Sequence, residues 1–241
     1  MSKAIRTVKS KETIVEQLSK QLLTHRTTAG DAERVFLEKF IAIDPIYAGN
    51  LNKFDVVGTR VLWQQTVIDH VNISGHWMEF GVRGGDTIRW LLEKRPDQSI
   101  HGFDSWEGLP EEWNTGGKNY PAGAMAVPMP VFEDNVQLHR GWFDRTLDPW
   151  KMDNDGTVAY LHIDSDLYSS AVYVLNTLND RIVPGTIIVF DELCNFRLSG
   201  KMNNWPIHEW RALCEWLEQH RRQVEPVARS CMYQAAVRVI K

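Results

Sequence analysis

The sequence predicts an α/β chain: a doubly wound, mostly parallel seven-stranded sheet of Rossmann-like type, preceded by helices. Three observations carry that expectation. From His76 onward, short apolar runs alternate with helix-like segments, the order produced by a parallel sheet with crossover helices. Two of the runs, Tyr160 to Ile163 and Thr186 to Phe190, are rich in Ile, Val, Phe and Tyr and lack polar alternation, as strands covered on both faces do. Each of these two then ends in carboxylates, Asp164 and Asp166 after the first, Asp191 and Glu192 after the second. Open α/β sheets bind ligands at that edge.

The elements follow in order. Ile14, Leu18, Leu22 and Leu23 recur at helical spacing, and Val35, Phe36, Lys39 and Phe40 suggest a second helix ending before Asp44-Pro45. Lys53 to Val71 reads as a third, with Val57, Val61, Leu62 and Ile68 along one side. Residues 1–72 are therefore expected to form a helical extension, a lid or an oligomerisation element, and residues 73–241 the ligand-binding domain. In that domain the expected strands are Trp77–Gly81, Ser99–Asp104, Val136–Phe143, Val158–Ile163 and Thr186–Phe190, with a closing hairpin from Val227–Cys231 and Gln234–Ile240. Helices are expected at Asp86–Glu93, Leu167–Leu178 and Pro206–His220, and an irregular stretch containing many Gly and Pro residues spans Ser105 to Pro130.

At 241 residues the chain can bury a full core, and no long Gly/Ser-rich or Pro-rich linker divides it. A formal net charge of −4 leaves no basic surplus to neutralise phosphates, so nucleic acid is not an expected partner and a neutral small acceptor fits better. Cys194, Cys214 and Cys231 are too few for a disulfide framework and lack metal spacing; reduced thiols are expected. The first twenty residues interleave charge with apolar residues and show no signal-peptide core, and no apolar stretch approaches a membrane span. A cytoplasmic protein without membrane contact, forming a homo-oligomer, is the expectation.

Glu79-Phe-Gly81-Val-Arg83-Gly84-Gly85-Asp86 joins the first strand to a helix. Glycines there permit positive φ and let a ligand approach the backbone, while the helix start offers unpaired N–H groups. The spacing is not the six-residue dinucleotide fingerprint. Asp104 ends the second strand 23 positions after Gly81, where an acidic side chain can accept both ribose hydroxyls; a turn-forming Asp before Ser105 is the alternative. At the sheet's other acidic ends, carboxylates closing buried strands are costly without a cation, so a divalent metal site is expected.

Four segments carry a resemblance to a known family: Glu79 to Gly85, Phe103-Asp104-Ser105-Trp106-Glu107-Gly108-Leu109-Pro110, Gly141-Trp142-Phe143-Asp144-Arg145-Thr146-Leu147, and His162-Ile163-Asp164-Ser165-Asp166-Leu167-Tyr168. Together they resemble the macrocin O-methyltransferase family, class I S-adenosylmethionine enzymes acting mainly on sugar hydroxyls of natural products. The resemblance runs from about Trp77 to Trp216. It implies that Glu79, Gly81 and Gly85 border the methionine moiety of S-adenosylmethionine, that Asp104 binds its ribose, and that Ser105 or Trp142 flanks the adenine. It also implies that Asp164, Asp191 and Glu192 hold Mg²⁺ and that Asp166 is the general base. Glu192 departs from the family, which carries two consecutive aspartates here. Oxygen-only ligation suits Mg²⁺ and leaves room for two substrate hydroxyls; no His or Cys at ligand spacing speaks for zinc. His162, on a strand buried on both faces, is read as a core residue. For Asp166 a helix N-cap is the alternative role.

The implied acceptor is a glycoside or other vicinal diol. Competing readings are a catechol-type metal-dependent O-methyltransferase, a nicotinamide oxidoreductase, which leaves the carboxylate set without a role, and a non-catalytic binding protein. Trp106, Trp113, Tyr120, Trp150 and Trp205 are expected in loops on the ligand side, where aromatic faces stack on sugars. The segments Asn114–Pro130 and Asn195–Asn204 are the expected acceptor-specific elements.

Overall fold

The computed structural model describes residues 9–25, 31–46 and 56–241, and the side chains of these residues other than 31 and 56–61. The sheet has seven strands. These are β1 (His76–Phe80), β2 (Ile100–Asp104), β5 (Val136–Arg140), β6 (Val158–Ile163), β7 (Ile182–Phe190), β8 (Val224–Arg229) and β9 (Ala235–Val239), in the spatial order β5-β2-β1-β6-β7-β9-β8. The five strands from β5 to β7 are parallel, and β9 runs antiparallel to both β7 and β8. The chain therefore reverses its winding between β1 and β6, which opens a crevice at their C-terminal ends. A two-stranded ribbon, β3 (Trp113–Asn114) with β4 (Asn119–Tyr120), lies outside the sheet.

Both faces of the sheet are covered, because alternate strand residues point opposite ways. On one face Met78, Phe80, Phe103, Leu161, Ile163, Ile188 and Phe190 join a core with α1 (Lys11–His25), α2 (Asp31–Ala42), α5 (Phe143–Asp153), α6 (Tyr168–Thr177) and α7 (Glu209–Gln219). On the other, Trp77, Tyr160, Ile187 and Val189 meet α3 (Val56–Ile68) and α4 (Asp86–Lys94) through Trp63, Val67, Ile88 and Leu91. A fully buried Leu or Ile contributes about 1.5–3 kcal/mol, so these two layers dominate the fold's stability.

The described part of the N-terminal extension belongs to the same core. Leu18, Leu22, Leu37 and Phe40 are buried in it, Trp205 Nε1 donates to Gln21 at 2.8 Å, and Trp210 Nε1 donates to Glu33 at 3.0 Å. Arg229 Nε donates to the Ile43 carbonyl at 2.9 Å.

Several expected boundaries move. The third strand ends at Arg140, not Phe143, since Gly141 at φ 142° turns the chain and Trp142 starts α5, a crossover helix absent from the expected elements. β7 begins at Ile182, four residues before the expected strand, and runs through Pro184 and Gly185. Leu23 and Leu62 face solvent, so α1 buries Leu18 and Leu22, while α3 buries Trp63, Val67 and Ile68; Val57 and Val61 lie outside the described side chains. Trp150 and Trp205 are core residues, and Trp106 is buried as well.

Candidate active site

A cavity of about 1140 Å³ opens at the C-terminal ends of β1, β2, β6 and β7, lined by the turns that follow those strands and roofed by the β3–β4 ribbon. Such a volume accommodates a cofactor-sized ligand together with an acceptor.

The first wall is the glycine turn. Gly81 has φ 100°, and a Cβ built on it would lie 1.8 Å from the Asp164 carbonyl oxygen, so only glycine lets the exit of β1 pass the end of β6. Gly84 borders the cavity. Gly85 starts α4 and turns its α-carbon toward the Phe132 ring, so Gly81 and Gly84 line the cavity and Gly85 backs it. Asp104 ends β2 on the opposite side of the turn. Its Oδ2 accepts the Arg83 N–H at 2.7 Å and its Oδ1 accepts the Trp106 N–H at 2.7 Å. Each oxygen keeps a further lone pair for a ligand hydroxyl. Trp106 Nε1 returns a hydrogen bond to the Arg83 carbonyl at 2.9 Å, tying the two turns together. Ser105 and Trp142 border the same space, Ser105 Oγ accepting the Glu107 N–H at 3.0 Å.

The second wall is acidic. Glu79 stands opposite His162 in the β1–β6 register, and both are buried. The His162 ring lies 3.6 Å from Glu79 through Nδ1 and 3.9 Å from Asp191 through Nε2, distances of ion pairing rather than hydrogen bonding. Burial alone would depress its pKa, but Asp191, Glu79 and Asp164 outweigh burial and push it up to about 10. Oxygens of Asp164, Asp166 and Glu192 lie within 4.8 Å of one another, and so do ligand atoms of His162, Asp164 and Asp191. Burial, then the charge of Asp191, raises Asp164 and Glu192 well above the ordinary carboxylate range and lifts Asp166 to about 7, Arg83 acting against the last shift.

Asp166 does not cap α6. The N-cap is Leu167, with no side-chain bond to the first turn, and Asp166 itself sits at φ 62° on the cavity wall. A non-glycine residue held in that conformation is strained and concentrates at functional sites.

Glu209, the first residue of α7, was not legible as part of this site. It is fully buried, its Oε2 accepts the Glu192 N–H at 3.0 Å, and its Oε1 has no hydrogen-bond partner. A first-turn glutamate ordinarily reads as a surface charge complementing the helix dipole, and nothing in the spacing to Glu192 signals the contact.

The donor set fits a hard divalent cation. Glu192 Oε2 is buried without a hydrogen-bond partner and lies among three neighbouring carboxylates on the cavity wall. Uncompensated charge of this kind is tolerated in a protein interior when an ion neutralises it. Gln234 Nε2 donates to Asp191 Oδ2 at 3.3 Å and orients that carboxylate from β8–β9.

The model of a family described as a methyltransferase domain matches residues 78–193, the span from β1 through the end of β7. No curated protein sequence matches. Among solved structures, CalS11, a calicheamicin methyltransferase, is 22% identical with a TM-score of 0.60, over 99% of this chain and 97% of that one. The O-methyltransferase NovP is 19% identical with a TM-score of 0.54, over 96% and 98%. The apo structure of CalS11, described as a TDP-rhamnose 3'-O-methyltransferase, is 20% identical with a TM-score of 0.53, over 97% and 96%. The chain has the class I methyltransferase fold, and the methyltransferase-domain model matches just under half of it, from β1 to the turn after β7. No helix among the described residues is long and apolar enough to cross a membrane.

Proposed function

We propose that the chain is an S-adenosylmethionine-dependent, Mg²⁺-dependent O-methyltransferase acting on one hydroxyl of a sugar or other vicinal diol in a natural product. The observation that carries this reading is the convergence, in one cavity, of a glycine turn with Asp104 and a buried carboxylate set at the ends of β6 and β7. The matched domain and the O-methyltransferases that share the fold support it.

On this reading Gly81 and Gly84 admit the aminoacyl part of the cofactor against the backbone, Asp104 accepts the ribose hydroxyls, and Ser105 and Trp142 border the adenine. Asp164, Asp191 and Glu192 hold the ion, with Glu209 and Gln234 fixing the last two. When bound, S-adenosylmethionine supplies a methyl group already activated on a sulfonium, and Mg²⁺ lowers the pKa of a hydroxyl it ligates. The remaining work belongs to the chain. It must align an acceptor oxygen with the methyl carbon, remove its proton and exclude water. Asp166, on the wall beside Asp164 and Glu192, accepts that proton at a carboxylate oxygen; Trp113 and Tyr120 close the cavity from above.

The test is transfer of labelled methyl from S-adenosylmethionine to a panel of glycosides and catechols, with and without chelator. Transfer to a glycoside that stops in chelator and returns with Mg²⁺ supports the reading. Transfer to catechols alone points to the catechol-type enzyme, and full turnover in chelator at verified zero metal overturns the metal assignment.

A further inference from the structure

The whole-chain charge of −4 pointed to a neutral acceptor, but the cavity is not uniform. Its floor is the carboxylate set. Its roof carries Lys118 on the β3–β4 ribbon and Lys201 on the segment before α7, and both line the cavity. The two segments are latched. Gly116 bridges Met202, the Asn204 N–H donates to the Thr115 carbonyl at 3.0 Å, and the side chains of Asn204 and His208 bond Asn114. A Cβ on Gly117 would lie 2.2 Å from the Gly200 carbonyl oxygen and 2.6 Å from the Lys201 α-carbon, so the backbones touch where the lysines project. Among the described residues neither lysine forms an ion pair, whereas Arg145, on the same wall, has Asp144 within 3.7 Å.

Lys118 is held in place from the apolar side. Its ammonium sits 4.2 Å from the centroid of the Tyr120 ring, and Tyr120 stacks on Trp113 with centroids 5.1 Å apart. Both rings line the cavity, and Trp113 Nε1 is buried without a hydrogen-bond partner. The roof thus sets a Trp113–Tyr120 ring stack beside two exposed lysines without ion pairs among the described residues, across the cavity from the carboxylate floor. A neutral diol meets the floor but leaves the lysines idle.

Resting on the methyltransferase reading above, we infer that the acceptor is an anionic glycoside: a sugar diol whose own carrier bears phosphate or diphosphate, the diol lying toward the carboxylate floor and the phosphoryl oxygens toward Lys118 and Lys201. Ammonium groups bind phosphoryl oxygens as point charges without demanding one geometry, which suits two flexible side chains on a fixed roof.

The experiment uses the full chain with Mg²⁺ and S-adenosylmethionine. The acceptors are UDP-glucose, TDP-rhamnose and GDP-mannose in one arm, glucose 1-phosphate and mannose 1-phosphate in a second, and methyl rhamnoside, methyl glucoside and methyl mannoside in a third. The expected result is transfer in the first or second arm, which identifies the diphosphate or the phosphate source, in preference to the neutral third. For the preferred acceptor, K118Q/K201Q should raise KM by about tenfold or more, the scale of a lost charge-assisted hydrogen bond, with kcat and S-adenosylhomocysteine affinity held. Efficient turnover of the neutral arm, with KM indifferent to K118Q/K201Q, overturns the inference and leaves the methyltransferase reading standing. A fall in S-adenosylhomocysteine affinity in K118Q/K201Q overturns it too, because the lysines then serve the cofactor. Tight cofactor binding with no transfer to any of the three arms overturns the inference, and the methyltransferase reading is then decided by the glycoside and catechol panel above.

Discussion

Two clusters of ionisable side chains sit on this sheet, one around buried His101 and one around buried Glu79, His162 and Asp166, and they meet the cost of burial in opposite ways. At β1, β2 and β5, His76, His101 and His139 pack ring to ring with Trp150, centroids 5.0–5.5 Å apart. Burial, together with His139 and His76, pushes the His101 pKa down to about 4, so the ring is neutral, and its Nδ1 accepts the Trp150 indole N–H at 3.2 Å. His76 Nε2 donates to the Asp155 carbonyl at 2.7 Å. That cluster is complete without any ligand. A few ångströms of sheet away, Glu79, His162, Asp164, Asp166, Asp191, Glu192 and Glu209 cannot all be neutralised by one histidine, and oxygens of Glu192 and Glu209 are left unbonded. Ionisable residues that settle each other mark structure; a set that stays in charge conflict marks a place where something binds.

The contrast predicts its own largest effect. D164N and D191A should abolish methyl transfer in a labelled-methyl assay. In metal-free protein, however, D164N should hold or raise the melting temperature, because it removes like-charge repulsion from a buried site. A loss of melting temperature comparable to that of a core truncation would place the acidic cluster in the same structural class as the histidines.

Next in size is D166N. With no capping bond to lose, its melting temperature should be unchanged, while the rate of methyl transfer falls by about 10²–10⁴-fold, the range for a lost general base. Near-normal turnover would hand the proton to another acceptor.

Glu209 sharpens the boundary between the clusters, since it holds the Glu192 N–H from behind the proposed ion ligands and does not line the cavity itself. E209L should weaken divalent-ion binding by about 10–100-fold, as outer partners of metal ligands do, read by Mn²⁺ titration followed by electron paramagnetic resonance. E209Q keeps an acceptor for the Glu192 N–H and should lose less. Equal affinity in all three proteins would reduce Glu209 to packing.

The smallest effect belongs to the histidine cluster. Above about pH 6.5 His101 is neutral in both folded and unfolded chains; as pH falls toward about 4 the unfolded chain takes up the proton first, so stability declines across that window. The urea midpoint should drop between pH 7 and pH 5, and H101N should flatten part of that drop. An unchanged slope in H101N would show that His101 titrates as it does when unfolded.

The sequence made the sheet legible because parallel strands covered on both faces must read as unbroken apolar runs, as Val158–Ile163 does. α5 was hidden for another reason: Trp142-Phe143 extends the reading of β5 past its end and Pro149 interrupts a helical reading; only the turn at Gly141 separates them. Asp164, Asp166, Asp191 and Glu192 were legible because strand-end carboxylates stand out from apolar surroundings, and their convergence follows from β6 pairing with β7. The Asp166 backbone conformation and the Glu209 contact were not, as one is a torsion and the other joins positions 17 apart through tertiary packing. Tryptophan counts misled in a simple way: Trp150 and Trp205 supply an apolar body with one satisfied N–H, which suits a core as well as a sugar.

The central claim, that the acidic cluster is a cation site and the histidine cluster is not, is tested most directly by calorimetric titration of Mg²⁺ into metal-free protein saturated with S-adenosylhomocysteine. Wild type and H101N should each bind one ion per chain, and D164N should give no binding heat. Absence of binding in wild type, or an identical isotherm in D164N, would contradict the account.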